Sequence, residues 1–79
     1  MGNNNAVKIL DYKGLPCPMP IVKLSQDIKK IAIGDVVEVH TTDPGSVADF
    51  PAWVKTTGNT MVEMKQEPGL ITIFIKREK

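Results

Sequence analysis

A chain of 79 residues with 42% hydrophobic and 24% charged side chains is one small domain, too short for two cores and dependent on every apolar face it has. Its net charge of +1 lacks the concentrated basic surplus of nucleic-acid binders, so direct nucleic-acid binding is not expected, and its apolar runs are far too short to span a bilayer. One cysteine excludes an internal disulfide, and with a single histidine it leaves too few ligands for a tetrahedral zinc site, so neither metal nor organic cofactor is expected.

Met1-Gly2-Asn3-Asn4-Asn5 has neither the charged start nor the apolar centre of a signal peptide. Residues 1–6 therefore read as a disordered lead-in to a single domain over 7–77, placed in the reducing cytoplasm and monomeric when free. Residues 7–12 form a first strand, with Val7 and Ile9 on one face and Lys8 and Leu10 on the other. Lys13-Gly14-Leu15-Pro16 turns the chain into a helix from Pro18 to about Ile31. Ile21, Leu24, Ile28 and Ile31 make its buried stripe, and Lys23, Gln26, Asp27, Lys29 and Lys30 its wet, mainly basic face.

Gly34-Asp35 closes that helix, and the β-branched run Val36–Thr41 makes a second strand. A helix between two strands implies a parallel pair joined by a right-handed crossover, so their C-terminal ends share one edge. Thr42-Asp43-Pro44-Gly45-Ser46 is rich in turn and cap residues, and Val47, Phe50, Trp53 and Val54 follow at helical spacing up to Gly58. Pro51 inside this second helix predicts an irregular first turn or a bend. Thr60–Gln66 sets Val62 and Met64 against Glu63 and Lys65, Leu70–Lys76 puts Ile71, Ile73 and Ile75 on one face, and Pro68-Gly69 joins the two as a hairpin.

The expected fold is α+β: a two-layer α/β sandwich of order β-α-β-α-β-β, its two helices on one face of a four-stranded mixed sheet. The uncovered face should hold Glu38, His40, Thr72 and Phe74. Phe50 and Trp53 read as core and the four methionines as filler.

Cys17 stands where the first helix begins. With Pro18 at N1, Cys17 becomes the N-cap, where free backbone N–H groups and the positive helix end both favour thiolate over thiol. Pro16, Pro18 and Pro20 stiffen the loop around the sulfur. A lone cysteine is otherwise a small buried hydrophobe, and it is this position that argues for reactivity. A Cys-X-X-Cys oxidoreductase needs a second thiol, which the chain lacks. A Cys–His hydrolase needs a base and an orienting group, for which His40 and Asp43 are the candidates, but so small a sandwich offers little cavity for a peptide or ester. A single activated sulfur can still accept another sulfur and become a persulfide.

Gly14-Leu15-Pro16-Cys17-Pro18-Met19-Pro20, Gly34-Asp35, Thr42-Asp43-Pro44, Asp49-Phe50-Pro51-Ala52-Trp53 and Thr57-Gly58-Asn59 together resemble the TusA/SirA family of sulfur carrier proteins, over residues from about 7 to 77. The resemblance implies the same two-layer sandwich and a sulfurtransferase-type persulfide relay with Cys17 as the sulfur-carrying residue. It implies a cysteine desulfurase or rhodanese-like donor, a DsrE-like acceptor, and a route in tRNA thiolation, molybdenum-cofactor supply or sulfur oxidation. Pro16 stands where Arg is frequent in the better-studied branch of that family, which removes a cation beside the sulfur.

Asp43 has two readings: a cap or Asx-turn carboxylate ahead of the second helix, or an acid that contacts the partner or tempers the thiolate. Lys23, Lys29 and Lys30 are a solvated face or a contact for an acidic partner. The rival function is a non-catalytic RNA- or protein-binding module working through the open sheet face, with Phe74 its one aromatic platform.

Overall fold

The β-branched and helix-period segments form the elements expected of them. They are β1 (Ala6–Asp11), α1 (Met19–Asp27), a 3-10 turn over Ile28–Lys30, β2 (Val36–Thr41), α2 (Ser46–Thr57), β3 (Thr60–Glu67) and β4 (Leu70–Lys76). This computed structural model describes residues 6–16 and 18–79; residues 1–5 of the expected lead-in, and Cys17, lie outside the described residues. The sheet runs β1-β2-β4-β3, with β1 parallel to β2 and the other neighbours antiparallel. The crossover through α1 thus brings the ends of β1 and β2 to one edge, as expected of a β-α-β unit.

One core lies between the layers. Leu24 and Phe50 from the two helices, and Val37, Val39, Ile73 and Ile75 from the sheet, are all 0% exposed. Trp53 packs against this cluster from its margin. Alternation along β2 and β4 puts Val37, Val39, Ile71, Ile73 and Ile75 inward, while Glu38 pairs with Ile9 on one side and Phe74 on the other across the open face. The open face is therefore less polar than Glu38 and His40 alone suggest, since Val7 and Ile9 on the edge strand are 58% and 62% exposed.

Three local expectations are corrected. α1 begins at Met19 with Pro18 in the cap position (φ −100°, ψ 18°), one residue later than a Pro18 N1 would require, and its end tightens into the 3-10 turn rather than continuing to Ile31. On β3 a bulge between Met61 and Glu63 interrupts the alternation. Met61 and Met64 pack on the core while Val62 is 41% exposed, because the extra residue rotates Val62 off the inner face. Met19 is 40% exposed at the helix start and is not core filler.

The first turn of α2 is irregular, as Pro51 led one to expect: Ser46, Val47 and Ala48 donate three residues back, to the carbonyls of Asp43, Pro44 and Gly45. Gly58 ends the helix at φ +80°, and both its own N–H and that of Asn59 close on the Val54 carbonyl, at 2.9 and 3.0 Å. Past β4, Arg77 donates to the Ile31 carbonyl at 2.6 Å and pairs through its main chain with Gly34 and Asp35, which fastens the last strand to the α1–β2 connection.

Candidate functional site

The loop between β1 and α1 is held on three sides. Tyr12 N–H donates to the His40 carbonyl at 2.8 Å, extending the parallel pairing by one residue, and Leu15 N–H returns to the Tyr12 carbonyl at 3.2 Å. Gly14, at φ +82°, donates its N–H to Thr42 Oγ1 at 3.0 Å and so joins this loop to the end of β2. Leu15 packs on the core and Pro20 is fully buried, whereas Pro16 and Pro18 are exposed. The loop is thus anchored at Gly14, Leu15 and Pro20, while Pro16 and Pro18 are turned to solvent.

The amide supply at the helix start is smaller than expected. Pro18 and Pro20 have no N–H, the Met19 N–H is engaged by the Pro16 carbonyl at 2.8 Å, and that of Val22 by the Pro18 carbonyl at 3.1 Å. Pro18 and Pro20 thus cost this end of α1 two donors, while its dipole remains. Beside Pro18, between α1 and α2, opens a cavity of about 400 Å³ lined by Pro18, Ile21, Asp49, Ala52, Trp53 and Thr56.

Asp43 is brought to the same edge by the Gly14–Thr42 bond. Its Oδ1 accepts the Gly45 N–H at 3.2 Å and its carbonyl accepts the Ser46 N–H at 3.0 Å, so it closes an Asx turn into α2. A Cβ placed on Gly45 would meet Asp43 Oδ2 at 3.4 Å and Asp49 Oδ2 at 3.6 Å, so two carboxylates crowd this corner. His40 does not join them. Its Nε2 lies 2.6 Å from Glu38 Oε2 on the open sheet face, and the base and orienting acid of a Cys–His hydrolase are not assembled.

The family model described as "Sulfurtransferase TusA" matches residues 8–77. The sulfur carrier protein TusA of Allochromatium vinosum is 44% identical over 68 residues, which cover 86% of this chain and 90% of that protein.

The chain belongs to the TusA family of sulfur carriers.

YrkF of Bacillus subtilis is 43% identical over 72 residues, 91% of this chain, but the chain spans only 39% of that protein's length. Among solved structures, the SirA-like protein of Desulfitobacterium hafniense shares the fold at a TM-score of 0.77 with 20% identity, covering 91% of this chain and 99% of that one. A sulfur carrier implies a donor and an acceptor protein, and among the described residues no helix is long and apolar enough to cross a membrane.

In this TusA-family chain the sequence reading passed over Tyr12. Tyr12 is 2% exposed, and its hydroxyl reaches Asp27 Oδ2 on α1 at 2.5 Å, with Lys30 on the same carboxylate at 3.4 Å. The signal was weak, because Asp27 sits at a helix position that reads as wet and its partner lies 15 residues away. Tyr12 is a strut between the end of β1 and the helix behind the cysteine.

The pair also carries a pH dependence. The Tyr12 hydrogen bond holds the Asp27 carboxyl below the usual range, against burial and with help from Lys30 and Lys23. Burial first, and the Asp27 bond and charge next, raise the Tyr12 phenol. A lowered Asp27 contributes stability above its unfolded value and loses it as pH falls through the folded one; a raised Tyr12 contributes below about pH 10 and loses it above. Tyr12→Phe is expected to cost about 1.5–3 kcal/mol at pH 7, the range for a hydrogen bond to a charged group, and much less near pH 3. Urea midpoints of both chains at the two pH values check this; an equal loss at both would contradict the coupling.

Proposed function

We propose that the chain is a persulfide relay in which Cys17 accepts and passes on one sulfane sulfur per cycle. The observation that carries this reading is that the only cysteine of a TusA-family domain stands in Cys17-Pro18-Met19-Pro20, directly ahead of the cap of α1. The Cys17 thiolate attacks the outer sulfur of a donor persulfide, the donor thiolate leaves, and Cys17–S–SH results. An acceptor thiolate then attacks that outer sulfur and Cys17 leaves as thiolate. Neither step needs an external oxidant or reductant, since each exchanges one sulfur–sulfur bond for another.

Pro18 and Pro20 shape the helix start, one by capping it on the surface and the other by locking its second residue in the core. A cysteine desulfurase or rhodanese-like protein is the proposed donor and a DsrE-like protein the proposed acceptor, serving tRNA thiolation, molybdenum-cofactor supply or sulfur oxidation. Incubation with a cysteine desulfurase and cysteine should add ~32 Da, one sulfur on the thiolate, at Cys17. Repeated failure with several competent donors would overturn the relay.

Asp43 is proposed to act through its Asx turn. Asp43→Asn should keep the Gly45 bond, since an amide oxygen accepts as a carboxylate does, and should leave transfer rate and urea midpoint within about 0.5 kcal/mol of the parent. A large fall in transfer at unchanged stability would instead give the acid a part in the exchange. The rival reading as an RNA-binding module loses its platform, because Phe74 is 7% exposed and Lys65 Nζ lies over its ring, 5.8 Å from the centroid.

A further inference from the structure

On the far side of Trp53 from the cavity beside Pro18, a second cavity of about 210 Å³ opens between the end of α1, the end of α2 and the segment after β4. Three cationic residues from two separate segments line it, Lys29 of the 3-10 turn and Arg77 and Lys79 after β4, and no Asp or Glu does. We infer that this cavity is a binding site for a small tetrahedral oxyanion of the phosphate or sulfate class.

The hydrogen-bond inventory points the same way. Ser25 Oγ donates to the Ile21 carbonyl at 3.0 Å and accepts Trp53 Nε1 at 3.0 Å. Thr57 Oγ1 donates to the Trp53 carbonyl at 2.8 Å and accepts Asn59 Nδ2 at 2.9 Å, while Asn59 Oδ1 accepts the Glu78 N–H at 2.8 Å. Every side-chain oxygen lining the cavity already accepts a hydrogen bond. What remains is donors: two ammonium groups, the second Asn59 N–H, and the Arg77 N–H groups beyond the two fixed by main-chain oxygens of Ile31 and Lys79. A guanidinium pinned in this way loses little freedom on meeting an anion.

The simpler account is that these cations offset the C-terminal end of α2, and Lys79 does lie across its cap: a Cβ on Gly58 would sit 3.0 Å from Lys79 Cε. The two helix ends that meet here carry together only about one negative charge, however, and three cations exceed it. The volume is below the roughly 300 Å³ at which pockets begin to enclose drug-sized ligands, so a phosphate-sized group fits and anything larger must extend outside.

The test is titration of the full chain with sodium phosphate at constant ionic strength, read by amide chemical shifts and by fluorescence of Trp53, the only tryptophan. Saturable shifts confined to Lys29, Thr57, Asn59, Arg77 and the Trp53 indole are expected, together with a rise in melting temperature. Lys29→Gln and Lys79→Gln should each weaken binding about tenfold or more, whereas Lys23→Gln, outside the cavity, should not. Arg77→Lys serves in place of a truncation, because Arg77 also holds the fold together.

An adenosine monophosphate arm separates the sources. Affinity equal to that of phosphate supports a free anion, and tighter binding at the same residues supports a phosphate carried on a larger molecule. Shifts that do not saturate, that spread to Lys23 and Lys30, or that survive both lysine substitutions would overturn the site and leave the cations as a cap for α2.

Discussion

Cys17→Ser should carry no added sulfur after exposure to a donor that adds ~32 Da to the parent chain, a complete rather than partial loss. A hydroxyl stays protonated at neutral pH, and the thiolate is the form that attacks a persulfide. The substitution removes one atom's polarizability and leaves the neighbouring supports, the Gly14–Thr42 bond, the Leu15 contact and buried Pro20, in place. Its urea midpoint should therefore stay close to that of the parent, and intact-mass spectrometry beside a denaturation curve separates chemistry from folding. Sulfur found on the serine chain would mean that the sulfur is borne elsewhere.

Phe50→Ala should be the most damaging single truncation in the core, at about 3–5 kcal/mol. Phe50 is 0% exposed on the inner face of α2, and its ring fills the space between that helix and the sheet. A domain of this length holds on the order of 5–10 kcal/mol in all, so the variant would sit near its unfolding midpoint under mild conditions. Phe50→Leu, which keeps most of the volume, should lose clearly less. Chemical denaturation with an unchanged slope against urea is the measurement; a loss under about 1 kcal/mol for the alanine variant would show that the space collapses and that the two layers are not wedged apart by this ring.

The two experiments probe independent parts. Phe50 lies in the interior, and the cysteine loop hangs from the edge where β1 and β2 end, so a stability loss at the first should not be read as a catalytic one. The Tyr12–Asp27 strut belongs with the loop: it spans from the end of the strand that launches it to the helix that follows it.

What the sequence determined by itself was everything that depends on neighbours along the chain. The period-two runs of β2 and β4, the Ile21-Leu24-Ile28-Ile31 stripe, the αL stop at Gly58 and the hairpin at Pro68-Gly69 follow from local sterics and solvent, so element order and inward faces were legible. So was the Cys17-Pro18-Met19-Pro20 motif with its family resemblance. The tertiary structure alone decided which strand became central, since β4 sits between β2 and β3 through pairings made by distant segments. It also decided the β3 bulge that exposes Val62, the Tyr12–Asp27 strut and the convergence of Lys29, Arg77 and Lys79 on one cavity. Each of these is a contact between residues far apart in the chain, and its free energy exists only once the layers have closed, so no local pattern records it.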